Sequence, residues 1–99
     1  MKRFELTPDA LNDVHDIWDF ISRDSFDAAD RVLENFYRAF DQLAANPGIG
    51  HKREDLTRQD VLFWGVYRYL VIYRTGLRPL LIVAVLHGSR DVKKILKKR

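Results

Sequence analysis

Residues 67–91, YRYLVIYRTGLRPLLIVAVLHGSRD, read as two β-strands joined by a turn. Side chains of a strand alternate between two faces, so a sheet with one wet face alternates apolar and polar residues. Residues 80–86 are all apolar instead, which asks for cover on both faces. The strand before it is easier to orient. Tyr69, Val71 and Tyr73 share one side, and Arg68, Leu70, Ile72 and Arg74 share the other. Arginines are rarely buried unpaired, so the second side is assigned to an open face.

The material upstream supplies one cover. KRFEL (2–6) is a short strand, followed by TPDALNDVHDIWDFISRD, with Thr7 as N-cap, Pro8 at the first helical position and Asp9 in the first turn. Leu11, Val14, Trp18 and Ile21, widened by Ile17, give an amphipathic stripe. The pattern restarts after Ser25 or Asp27, and Ala29, Leu33, Phe36, Phe40 and Leu43 form a heptad-like seam. The two helices are expected to pack as an antiparallel hairpin. NPGIG (46–50) stops the second helix. After the polar HKREDLTRQD come VLFWGV and the two strands quoted above. The chain closes on SRDVKKILKKR, where Val92, Ile95 and Leu96 predict a short helix capped by Ser89 or Asp91, expected to fray.

The expectation is a single α+β domain over residues 1–99. An N-terminal strand is followed by an antiparallel two-helix hairpin packed on a small antiparallel sheet, in the order β-α-α-β-β-β, with a short C-terminal helix added. The hairpin covers one sheet face, leaving an apolar groove rimmed by arginine on the other. Three occupants fit such a groove: a separate partner, a second copy, or the C-terminal segment folded back. The shortage of covering elements favours a separate partner.

Composition narrows the class. At 46% hydrophobic and 12% aromatic residues, the 99-residue chain is a folding globule. It has no cysteine, which rules out disulfides, thiol chemistry and cysteine zinc sites and agrees with a reducing cytoplasm. The start meets charge and a proline before any signal-like run, and seven residues is the longest apolar run, so a soluble cytoplasmic protein is expected. The net charge of +3 conceals a split. Residues 1–49 carry five Lys/Arg against ten Asp/Glu, and residues 50–99 carry twelve against four. A basic surface facing a polyanion or an acidic protein, or a solvated lysine-rich tail, accounts for it.

NPGIGHKREDL, with Pro47, Gly50 and Arg53 spaced by two residues and followed by Asp55-Leu56, then Tyr69-Leu70, Tyr73-Arg74 and LHGSRD, resembles the ParE branch of the RelE/ParE toxin superfamily. These are the toxin halves of bacterial type II toxin–antitoxin modules, known also as plasmid stabilisation proteins. The likeness runs over nearly the whole chain. It implies an α-hairpin on a small sheet and a cognate antitoxin, ParD-like or similar, whose C-terminal segment covers the groove and whose N-terminal part carries most of the DNA contact. By the same analogy Leu81, Val83, Val85 and His87 join the open face. The antitoxin groove is then Arg68, Leu70, Ile72, Arg74, Leu81, Val83 and Val85.

The two branches differ in mechanism. RelE-like relatives cut messenger RNA on the ribosome with cationic residues on the open sheet face and a late tyrosine or a glutamate–histidine pair. Aligned to them, the sheet lysines fall at Val61 and Phe63, the sheet arginine at Leu70 and the late tyrosine at Lys93. These departures favour the ParE branch, whose members poison DNA gyrase without being nucleases. No catalytic residue, metal, cofactor or membrane contact is expected. A ribosome-dependent endonuclease and a non-toxic module that kept the fold are the alternatives.

Arg53, Arg74, His87 and Arg90 would make a phosphate-binding set if they met at the end of the sheet; a solubilising rim is the plainer use. Arg53, His87, Arg90, Lys93 and Lys94 are the candidate target contacts. GIGHK lacks a phosphate loop's full spacing and follows a helix. Asp13, His15, Asp16 and Asp19 read as a solvated acidic helix face rather than metal ligands. Trp18, Phe36 and Phe40 read as core, and Trp64 as a sheet-edge residue open to a partner.

Overall fold

The computed structural model describes residues 3–99. Strand β1 (Phe4–Leu6) leads into helices α1 (Pro8–Ser22) and α2 (Phe26–Ala45), a 3₁₀ turn (Pro47–Ile49), strands β2 (Leu62–Val66), β3 (Tyr69–Arg74) and β4 (Leu80–His87), and helix α3 (Val92–Lys97). Each helix start has a side-chain cap. Thr7 Oγ1 accepts the Ala10 N–H at 3.1 Å, Ser25 Oγ that of Ala28 at 3.1 Å, and Asp91 Oδ1 that of Lys94 at 3.1 Å.

The sheet order is β1-β4-β3-β2. The last three strands are antiparallel, as expected, but β1 pairs with β4 in parallel, so the sheet is mixed. The chain reaches β4 only after the helical hairpin and two further strands, which returns it in the direction of β1.

The sheet carries a core on each face. On one, Ala10 and Val14 of α1 and Phe36, Phe40 and Leu43 of α2 pack against Val71, Tyr73, Ile82 and Val85. On the other, Val92 and Leu96 of α3 pack against Ile72, Ala84 and Leu86, joined by Val61, Phe63 and Val83. The all-apolar run 80–86 is thus covered twice by its own chain. The expectation of an open groove is corrected here: Ile72 is 0% exposed and Leu86 1%. A six-residue amphipathic helix suffices because it need seal only the centre of one small sheet face. The α1 stripe is corrected as well, since Ala10 and Val14 face the core and Leu11 remains 41% exposed.

Candidate functional site: the second sheet face, the β4 rim and the basic C-terminal helix

The expected alternation along β4 fails at Val83. Tyr73 pairs with Ile82 and Ile72 with Ala84, leaving Val83 as the extra residue of a bulge. Leu81 and Val83 share the face of Leu70 and Ile72, which α3 covers. Beyond the bulge the faces exchange: Ala84 and Leu86 occupy the α3 side, while Val85 and His87 turn to the helical hairpin. Val85 therefore does not line the groove proposed for it, and His87 leaves that face with it. Of the remaining groove residues, Arg68 and Arg74 are exposed, Leu70 and Leu81 are half-buried at the margin of α3, and Ile72 and Val83 lie beneath it.

His87 sits edge-on to Tyr69 at 5.3 Å, and Tyr69 edge-on to Phe36 at 5.4 Å. Its Nδ1 accepts the Ser89 backbone N–H at 3.0 Å. In the neutral ring the proton therefore belongs on Nε2. With Arg90, Asp16, Phe20 and Tyr69 it lines a pocket of about 340 Å³ between α1 and the β4 rim.

The four residues of the proposed phosphate set do not converge. Arg53 lines a cleft of the 52–61 loop, Arg74 a hollow beside Leu77, and His87 and Arg90 share a third pocket. Arg53 is already paired with Asp55 at 2.9 Å; that contact raises its pKa and lowers that of Asp55. Lys93 and Lys94 stand on the exposed side of α3, with Lys93 beside Lys97 and Arg58 in a further cleft. Trp64 is half-buried on the edge strand β2, against the hairpin-side core.

The cluster that sequence reading missed is centred on Asp13. Its carboxylate is 7% exposed and accepts the Val85 N–H at 3.0 Å, beyond the point where the three-residue β1 leaves the β4 edge uncovered. Arg99 closes on both oxygens, with Nη2 at 2.8 Å from Oδ1 and Nη1 at 2.5 Å from Oδ2. That hydrogen bond is the chief cause of the raised Arg99 pKa. Asp13 thus departs from the solvated face expected for it; it lies on the stripe of Ala10, Val14 and Ile17, a spacing that marks a buried carboxylate. Among the described residues no group of acidic or histidine side chains is arranged to hold a metal ion.

The motif Pro47–Gly50 also gains a physical basis. Buried Tyr73 donates its hydroxyl to the Pro47 carbonyl at 2.7 Å and accepts the Gly50 N–H at 3.0 Å. A Cβ at position 50 would lie 2.5 Å from that hydroxyl, so glycine is required by close approach. Residues 4–92 match the model of the ParE toxin of the type II toxin–antitoxin system parDE. The chain belongs to the ParE toxin family. A solved structure described as the chromosomal ParDE toxin–antitoxin system from P. aeruginosa superposes with a TM-score of 0.71 at 17% identity, over 88% of this chain and 96% of that one. It shares the ParE-like fold. No curated protein sequence matches. No helix among the described residues is long and apolar enough to cross a membrane.

Proposed function

We propose that this ParE-family chain is a cytoplasmic toxin that inhibits DNA gyrase and is neutralised by a cognate antitoxin. The family match over residues 4–92 carries the reading. The second sheet face supports it. Val61 and Phe63, aligned with the catalytic lysines of nucleolytic relatives, are each 3% exposed in an apolar core under α3. A phosphate cannot be held there without a buried, unpaired charge.

The antitoxin segment is proposed to run along the margin of α3, over Arg68, Leu70, Arg74 and Leu81, with Ile72 and Val83 reachable only if α3 shifts. A basic, partly apolar margin suits an acidic, amphipathic strand or helix. Controlled expression in bacteria tests the whole reading. Growth arrest with gyrase-dependent DNA breaks and intact transcripts is expected, relieved by the product of an adjacent antitoxin gene. Cleaved transcripts without DNA breaks, or undisturbed growth, would overturn it.

A further inference from the structure

The charge split of the sequence becomes a split between the two sides of the sheet. Residues 8–45, on one side, hold nine acidic against three basic residues; residues 92–98, on the other, hold four lysines and no acid, while Arg90 and Arg99 turn back toward α1. On α3, Val92 and Leu96 point into the core, and Lys93, Lys94, Lys97 and Lys98 are exposed around them. None of these four lysines forms an ion pair with a described residue, whereas Arg53 and Arg99 both do. Arg58 joins Lys93 and Lys97 in one open cleft of about 530 Å³, with Glu54 the single acid in its lining.

We propose that the outer face of α3, with Arg58, is a docking surface for the phosphate backbone of double-stranded nucleic acid, used by the toxin itself. Lys93 to Lys98 spans about 7.5 Å at 1.5 Å per residue, and a duplex presents a charge about every 1.7 Å of its axis, so the row faces several phosphates at once. The acidic hairpin on the far side is repelled by the same polyanion, which leaves α3 as the side presented.

Two features select a duplex over other anions. Single-strand binders stack bases on aromatic side chains, and residues 90–99 contain no aromatic; exposed Phe20, Phe26 and Tyr67 belong to the hairpin and the β2–β3 turn. A tight protein interface needs a central apolar or aromatic anchor, and on α3 the fully exposed residues from 93 to 98 are all lysines, with Ile95 half-buried against the core beneath them. The surface is a property of the chain alone, so its failure would leave the gyrase reading untouched.

The test is fluorescence anisotropy of a labelled 20-base-pair duplex of arbitrary sequence against the full chain free of antitoxin. Binding in the roughly micromolar to 100 µM range at low salt is expected, weakening steeply as salt rises. Lys93→Gln with Lys97→Gln should weaken it about fivefold or more and lower the log–log salt slope by about 2, at about 0.9 per lost phosphate contact. Arg31→Gln with Arg38→Gln changes the net charge equally on the opposite side and should leave affinity within about twofold at about 0.1 M salt, where charges beyond a Debye length of about 10 Å are screened. Melting curves check that both variants fold, as expected for exposed side chains. No binding by the parent chain at low salt, equal losses in the two variants, or tighter binding to a single strand of the same length would each overturn the proposal.

Discussion

At the scale of single residues, the Asp13–Arg99 pair makes the longest-range side-chain hydrogen bonds among the described residues. It ties the last residue to the first long helix across 86 positions and occupies the exposed edge of β4. Removing one partner strands the other. Arg99→Gln should therefore cost about 2–4 kcal/mol, below the roughly 3–5 of a fully buried pair because the guanidinium side chain stays 17% exposed. Urea unfolding of Arg99→Gln, Asp13→Asn and the double variant measures it; the double should cost clearly less than the sum, and additivity would show the pair to be energetically independent. Tyr73 is the second such residue. Tyr73→Phe removes both hydroxyl contacts and should cost about 1–2 kcal/mol. Burial holds the Tyr73 phenol above its ordinary value of 10.0, so the unfolded chain ionises first as pH rises. Its contribution is then complete below about pH 10 and declines above it. The stability gap between the parent and Tyr73→Phe should narrow in alkaline melts; a gap that widened would contradict this sign.

At the scale of elements, α3 decides how the sheet is finished. Its six residues bury Val92 and Leu96, and Gln59 Nε2 donates to the Leu96 carbonyl at 2.9 Å, so the segment is pinned at both ends of its contact. Leu96→Ala should lose about 2–4 kcal/mol through a cavity beneath the helix. Ending the chain at Asp91 should bare Phe63, Ile72 and Leu86 and raise the fluorescence of a hydrophobic dye at neutral pH, with the hairpin-side core still folded. Unchanged dye binding would mean that another segment takes the place of α3. The fraying expected of a terminal segment is opposed by the apolar contacts of α3. A six-residue helix alone is marginal in water, and this one draws its stability from the apolar face it covers.

At the scale of the whole molecule, the sheet separates an acidic helical layer from a basic one, and function is proposed to follow that division. Charge reversal at Arg90, Lys93 and Lys94 should abolish growth arrest while leaving antitoxin capture intact, measured by induced expression and by co-purification. Retained toxicity would remove these residues from target contact. The element order, both long helices with their caps, the short third helix and the family motif were legible in the chain, because each rests on local spacing. The groove was not. Leu70 and Ile72 were placed on the correct side of β3, but their cover was sought in another molecule.

What the linear chain determines by itself is the set of elements and their order, since caps, periodicity and turn residues act within a few positions of one another. It also determines that residues 80–86 must be covered twice. Tertiary structure alone decides by what. The Val83 bulge re-aims Val85 and His87, and the parallel pairing of β1 ends early enough to leave room for Asp13. The meeting of Asp13 with Arg99 then closes the fold over the second face. Each of these joins residues from 9 to 86 positions apart, a range over which no periodicity reports and only packing and the pairing of a buried charge select the partner.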